Sequence, residues 1–181
     1  EHLKNQIVAK GYLQVDETTL KVQDSTLKGI GSPNRTHLGY YWAYNSPMDN
    51  ILFFEYHQGR AAKHVNKTLK DFTGYLQTDG YGGYNGLSQK ESIVHVGCMA
   101  HARRKFDEAK ANDILRAEKA LLFFQVLYQI EAKARQQSLD EAARKELRLT
   151  ESLPVLNELG KWMVEENKKV LPKSKIGMAF H

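Results

Sequence analysis

Two aspartates, Asp16 and Asp79, each follow a run of β-branched or apolar residues and precede small or polar ones, in Asp16-Glu17-Thr18 and Asp79-Gly80-Tyr81. Carboxylates at strand ends are well held and reachable. Hard divalent cations such as Mg²⁺ take carboxylate oxygen, and two such groups on neighbouring strands can share two metal ions roughly 3.5–4 Å apart for in-line phosphoryl displacement. An aspartate at a strand end is also a common turn or capping residue, and spacing alone does not separate the two readings.

A second constellation lies just downstream. Cys98 and His101, with His95 three residues before Cys98, supply the soft and borderline ligands that zinc uses, but a structural zinc site needs four. On a helix beginning at Cys98, the residues Cys98, His101, Ala102, Phe106 and Ala109 share one face, so the alternative is a cysteine and a histidine packed against a sheet. Arg103, Arg104 and Lys105 make a basic cluster, read either as contacts to nucleic-acid phosphate or as a solvated face paired with Asp107 and Glu108. Arg103 and Arg104 point away from the apolar face, and Lys105, nearer to it, would have to snorkel. Gly80, Gly82 and Gly83 fit neither the dinucleotide nor the Walker pattern and more simply permit a tight turn beside Asp79. Tyr81 and Tyr84 could stack on bases or pack in the core. Glu17 should point to the face opposite Asp16 if the strand is regular, which favours a structural role.

The elements that must position these residues are legible in the hydrophobic pattern. Tyr12 to Val22 alternates apolar and polar residues and reads as a strand. A turn-rich loop follows over 23–37, with Gly29, Gly31, Ser32, Pro33 and Asn34. Leu38–Tyr44 and Ile51–Tyr56 are aromatic-rich runs joined by a polar turn, which predicts an antiparallel hairpin, and their near-continuous apolar character predicts strands covered on both faces. A helix over Arg60–Phe72, a short strand Tyr75–Thr78 delivering Asp79, a helical or turn segment Tyr81–Leu87 and a strand Ile93–Val96 come next. A helix then begins at Cys98.

Beyond that point the strand signal ends. Ala117–Arg135 carries apolar residues nearly all round at helical spacing, so burial on several sides is expected. A further helix starts near Ser138-Leu139-Asp140-Glu141, with acids in its first turn, and runs toward Lys169. Pro154 should break it, kink it, or open a new helix as a first-turn residue. The expected architecture is α/β: a mixed sheet in the order βββαβαβα, residues 1–112, followed by a helical insertion or extension, residues 113–181.

With 181 residues, 41% hydrophobic and 26% charged, the chain lies in the globular range and can bury a core. Its one cysteine cannot form an internal disulfide, no apolar stretch is long enough to span a bilayer, and Glu1-His2-Leu3-Lys4 lacks the features of a signal peptide, so a cytosolic compartment without membrane partners fits best. The net charge of +5 suits an anionic partner. Residues 1–97 hold 10 lysines and arginines against 9 acids, whereas residues 98–181 hold 16 against 12, so the excess sits in the second half.

Three stretches occur in order: Gln14-Val15-Asp16-Glu17-Thr18, then Gly74-Tyr75-Leu76-Gln77-Thr78-Asp79-Gly80-Tyr81-Gly82-Gly83-Tyr84-Asn85, then Gly97-Cys98-Met99-Ala100-His101-Ala102-Arg103-Arg104-Lys105-Phe106. Together they resemble the transposases of the insertion sequence 66 family, and the resemblance runs over essentially the whole chain. It implies a ribonuclease H-like fold with an Asp-Asp-Glu triad. Asp16 matches the family's first aspartate, at the end of the first strand, and Asp79 matches the second, after the fourth strand. The family's glutamate lies downstream of an inserted helical region in an Asn-rich motif, and no such motif occurs before His181. Neither Asp107 and Glu108 nor Glu165 and Glu166 substitute convincingly. The chain therefore reads as a fragment that should be inactive or nearly so.

The resemblance further implies a bacterial, nucleoid-associated enzyme of DNA transposition, with element ends and target DNA as partners and two Mg²⁺ or Mn²⁺ ions in the complete site. The Cys98-x-x-His101 pair resembles a feature of several transposase families that follows the second aspartate, and an ordering role near the active site is the hypothesis for Cys98 and His101. Dimerisation, giving a homo-oligomer, or gripping of element ends by the helical region are hypotheses. The rival readings are a metal-dependent nuclease or resolvase on the same fold, and a degenerate relic kept as a DNA-binding module.

Overall fold

The computed structural model describes residues 2–23 and 36–181, so the turn-rich loop expected over 23–37 lies almost wholly outside the described residues. The chain divides into two compact units, Glu1–Cys98 and Met99–His181.

The first unit is built on five strands: β1 (Tyr12–Gln23), β2 (Thr36–Ser46), β3 (Ile51–His57), β4 (Gly74–Thr78) and β5 (Ile93–Gly97). Their spatial order is β3-β2-β1-β4-β5. β1 pairs antiparallel with β2 and β2 with β3, whereas β4 runs parallel to both β1 and β5. This mixed sheet, three meander strands followed by two parallel ones, is the ribonuclease H-like fold that the sequence leads one to expect. Helices α1 (His2–Val8), α2 (Ala62–Thr68) and α3 (Asn85–Ser88) belong to the same unit, α3 preceded by a short 3₁₀ turn at Gly82–Tyr84. Helix α1 has no counterpart in the expected order.

Alternation sets the core. Leu13 and Val15 of β1, Trp42 and Tyr44 of β2 and Leu76 of β4 face one side and are buried with Ile7, Val65, Leu69, Phe72 and Leu87. The hairpin strands are covered on this face only, contrary to the expectation of two covered faces. Leu52, Phe54 and Tyr56 of β3 and Tyr41 of β2 are 40–54% exposed. Their aromatic character reflects cross-strand pairing, with Tyr41 edge-on to both Phe54 and Tyr56, rather than burial from both sides. At the β2–β3 turn Asn50 takes φ 59°, a left-handed conformation asparagine tolerates, and Lys10 ties Asp49 at 2.7 Å. Gly74 opens β4 at φ +117°, and a Cβ there would stand 2.3 Å from the Gly11 carbonyl oxygen, so only glycine fits where β4 joins β1.

The second unit is helical: α4 (Met99–Ala109), α5 (Ile114–Gln136), α6 (Glu141–Leu147), α7 (Leu153–Asn167) and α8 (Lys175–Ala179). Asp113 caps α5 by accepting from the Arg116 N–H, and Asp140 caps α6 by accepting from the Ala143 N–H. Pro154 stands in the first turn of α7, after a π-helical turn at Arg148–Ser152, where its missing N–H costs little. The helical backbone runs unbroken from Glu141 to Asn167, so Pro154 neither breaks it nor opens a separate helix, and the π-helical turn falls just before it. α5 departs from expectation within its unit. Ala117, Ala120, Phe124, Leu127, Ile130 and Ala134 are buried at three- and four-residue spacing along one stripe, whereas Leu122, Val126 and Tyr128 are exposed. The face of α4 that was expected against a sheet, Phe106 and Ala109, is buried among α5 and α8 with Phe124, Ile176 and Phe180.

Candidate active site

The parallel pairing of β1 and β4 ends two residues before each of the two aspartates. Tyr12 lies beside Tyr75, Leu13 beside Leu76 and Gln14 beside Gln77. Two residues further along each strand stand Asp16 and Asp79. β4 ends at Thr78, so Asp79 follows a strand end as expected, but Asp16 does not. It sits inside β1, opposite Ala43, because the antiparallel partner β2 carries β1 on to Gln23 after the parallel partner has stopped.

Asp16 is exposed and shares its sheet face with Gln14, while Leu13, Val15 and Glu17 face the core. Its Oδ1 accepts from the Glu17 N–H at 2.9 Å. Beneath it a chain of side-chain hydrogen bonds orders the same face. Asn45 donates to Gln14 Oε1 at 2.9 Å, Gln14 donates to Gln77 Oε1 at 2.8 Å, and the Tyr12 hydroxyl donates to that same oxygen at 2.6 Å. Asp79 is fixed by its own loop: Oδ1 accepts from the Tyr81 N–H at 2.9 Å, an Asx turn. The preceding Thr78 donates its hydroxyl to the Asp79 carbonyl and lies 2.6 Å from His95 Nε2.

A third carboxylate stands behind them. The Glu17 side chain is only 2% exposed, and its charge is met by the Arg60 guanidinium and by the Tyr84 hydroxyl, which donates to Oε2 at 2.6 Å. Arg60 also approaches Asp79, with Nη2 3.7 Å from Oδ2, and its guanidinium lies 3.6 Å over the Tyr81 ring, whose hydroxyl donates to the Arg60 carbonyl at 2.6 Å. Gly83 is required by this packing, because a Cβ there would come within 2.3 Å of the Tyr81 ring. Burial first, then the hydrogen bond to Glu17, then the charges of Glu17, Asp79 and Asp16 drive the Tyr84 hydroxyl far above the ordinary tyrosine range. Burial opposes the charge on Arg60, but the hydrogen bond and charge of Glu17, followed by the charge of Asp79, raise its pKa above the ordinary arginine value.

Tyr84 is thus a core residue with a polar cap, edge-on to Trp42 and Tyr81. Arg60 was not singled out by the sequence reading. The available signal was that it is the sole lysine or arginine between Arg35 and Lys63, at the end of a long apolar hairpin. Cys98 precedes α4 instead of opening it, and its N–H donates to the Thr78 carbonyl at 2.9 Å. His101 is half-buried on α4, and Arg103, Arg104 and Lys105 are all exposed there. Asp107 pairs with Lys110, and Glu166 with Arg116 and Lys169, so these acids are committed within the helical unit.

Among the described residues no group of three or more His, Cys, Asp and Glu side chains is arranged to hold a metal ion. Asp16 and Asp79 fit a hard divalent cation by donor type, since Mg²⁺ is commonly held by one or two carboxylates with water completing its shell. Among the described residues no helix is long and apolar enough to cross a membrane.

Comparison with known proteins agrees with the motifs. The chain is similar to two uncharacterized proteins of Sinorhizobium fredii, y4qI and y4jD. It is 30% identical to y4qI, over 91% of this chain and 32% of that protein, and 28% identical to y4jD, over 91% and 34%. It spans about a third of the length of these relatives. Among solved structures it is similar to a chain of the simian T-cell lymphotropic virus intasome in complex with PP2A regulatory subunit B56 gamma, at 11% identity and a TM-score of 0.35, over 76% of this chain and 45% of that one. The family model for the Transposase IS66 family matches residues 1–181, and the chain belongs to that family.

Proposed function

We propose that residues 1–181 supply two carboxylate ligands, Asp16 and Asp79, of a metal-dependent DNA transposase that cleaves element ends and joins them to target DNA. The observation that supports this reading is the parallel β1–β4 register, whose last pair, Gln14 and Gln77, stands two residues before Asp16 and Asp79, in a chain of the transposase family. When bound, Mg²⁺ or Mn²⁺ would activate the attacking water or 3′-hydroxyl and stabilise charge on the leaving oxygen. Asp16 projects from an ordered sheet face and Asp79 from an Asx turn, so both are held before a metal arrives. A third carboxylate would complete the site from outside residues 1–181.

Within this reading, residues 1–112 are the first part of the catalytic core and 113–181 a helical insertion. The exposed Arg103, Arg104 and Lys105 contact DNA phosphate, which gives affinity without sequence information. Cys98 and His101 order the segment that follows β5.

Two measurements test this. In Mn²⁺-soaked crystals of the chain, an anomalous peak is expected between Asp16 and Asp79, and carboxylates bound to separate ions in different regions would end the metal reading. In the full-length gene product, D16N or D79N should each lower strand transfer by about 10³-fold or more, given what metal-borne charge stabilisation contributes. Hydrolysis without strand-transfer products would move the reading to a nuclease.

A further inference from the structure

We propose that Arg60, held by Glu17, is a positioning residue that serves as the internal counter-ion of Asp79 and must yield that carboxylate to the metal. This rests on the reading of Asp16 and Asp79 as metal ligands.

The network is closed and built from distant parts of the chain. Glu17 of β1 binds Arg60, which lies in the connection between β3 and α2, and Tyr84, which lies in the turn after β4. Arg60 stacks on Tyr81, whose N–H holds one oxygen of Asp79 while the guanidinium stands 3.7 Å from the other. The two contacts on the Asp79 carboxylate, from the Tyr81 N–H and the Arg60 guanidinium, thus lead back to Glu17 within two residues. The geometry is also unequal. Arg60 is in direct contact with Glu17, from both Nε and Nη2, but at 3.7 Å from Asp79 it is beyond hydrogen-bond range. The planar five-donor fork of arginine can hold one carboxylate closely while standing near a second.

Two consequences of opposite sign follow. A cation beside Asp79 disfavours a second cation at the same carboxylate, so removing it should favour metal binding. Glu17 draws Arg60 away from Asp79 and cancels its charge, so removing Glu17 should release the guanidinium onto Asp79 and oppose metal binding. A network that merely supported the loop would move both variants the same way, toward weaker binding.

The experiment is a Mn²⁺ titration of the chain followed by the electron paramagnetic resonance signal of the free ion, with folding checked by circular dichroism. R60Q is expected to tighten Mn²⁺ binding by roughly threefold or more, and E17Q to weaken it by about as much, the directions following from the like charge removed or freed. The double variant E17Q/R60Q, in which neither charge remains buried alone, should return close to wild type. Weaker binding in both single variants, or no change in either, overturns the proposal. Should R60Q fail to fold, E17Q against the double variant decides, since a double variant that stays as weak as E17Q also overturns it. D16N and D79N test the underlying reading separately. If neither alters Mn²⁺ binding, the aspartates are not the ligands, whichever way R60Q moves.

Discussion

Trp42 is flanked across the sheet by two carboxylates, Glu17 on β1 and Glu55 on β3, both of them its register partners. Each is turned toward the core, and a hydroxyl and a cation meet each of them. For Glu55 the hydroxyl is Thr68 and the cation Lys4, whose ammonium lies 3.0 Å from the carboxylate and 3.2 Å from that same hydroxyl. His57 Nε2 also lies 3.8 Å from this carboxylate. For Glu17 the hydroxyl is Tyr84 and the cation Arg60, and the guanidinium continues outward to Asp79. The first arrangement pins helices α1 and α2 to the sheet edge. The second uses the same means but ends at a candidate metal ligand. The two ion pairs differ in where the cation's remaining contact goes.

Experiments can break this comparison at several points. The largest effect is expected from W42A, which removes the fully buried ring between the two carboxylates and should cost about 3–5 kcal/mol in urea unfolding of the chain. A cost under about 1 kcal/mol would mean that the two sites do not share a core. Next comes Y84F, which leaves Glu17 without its hydroxyl donor at a side chain only 2% exposed, for an expected loss of about 1–3 kcal/mol. T68V at Glu55, 18% exposed, should cost less, about 1 kcal/mol, because water can replace the lost partner. If T68V proved the more damaging, Glu55 rather than Glu17 would be the more dependent carboxylate.

The smallest effect is one of pH. Burial pushes the Glu55 carboxyl upward, but the Thr68 hydroxyl and Lys4 outweigh it and hold it below its ordinary value of 4.5. A carboxyl depressed in the folded state contributes stability that is complete above the unfolded value and disappears as pH falls through the folded one. The difference in melting temperature between wild type and E55Q should therefore be largest near neutral pH and shrink below about pH 4. A difference that stayed constant over that range would show that the charge on Glu55 contributes nothing.

Much of the first unit was legible in the residues. The alternation of β1, the hairpin and the short parallel strands is local, since a strand's burial pattern repeats every two residues. The same alternation put Glu17 on the face opposite Asp16. The second unit was less so. α5 has apolar residues nearly all round, and its composition cannot say which of them find partners: Phe124 does, in contact with Phe106, while Leu122 remains 61% exposed. The aromatic hairpin misled in the same way, because a run of Tyr, Trp and Phe has one appearance whether one face or both are covered.

By itself the sequence determined most of the element types, the helix entry near Asp140, the family, and the two aspartates as the residues to examine. Those rest on periodicity, backbone propensity and short motifs, all carried within a few residues. Only the tertiary structure decided that Asp16 lies inside its strand, that Glu17 is buried, and that Arg60 joins it to Asp79. Glu17 and Arg60 are 43 residues apart and Glu17 and Tyr84 are 67 apart. A pairing at such separation leaves no trace in local pattern, because it depends on which strands become neighbours, and that is settled only when the whole sheet forms.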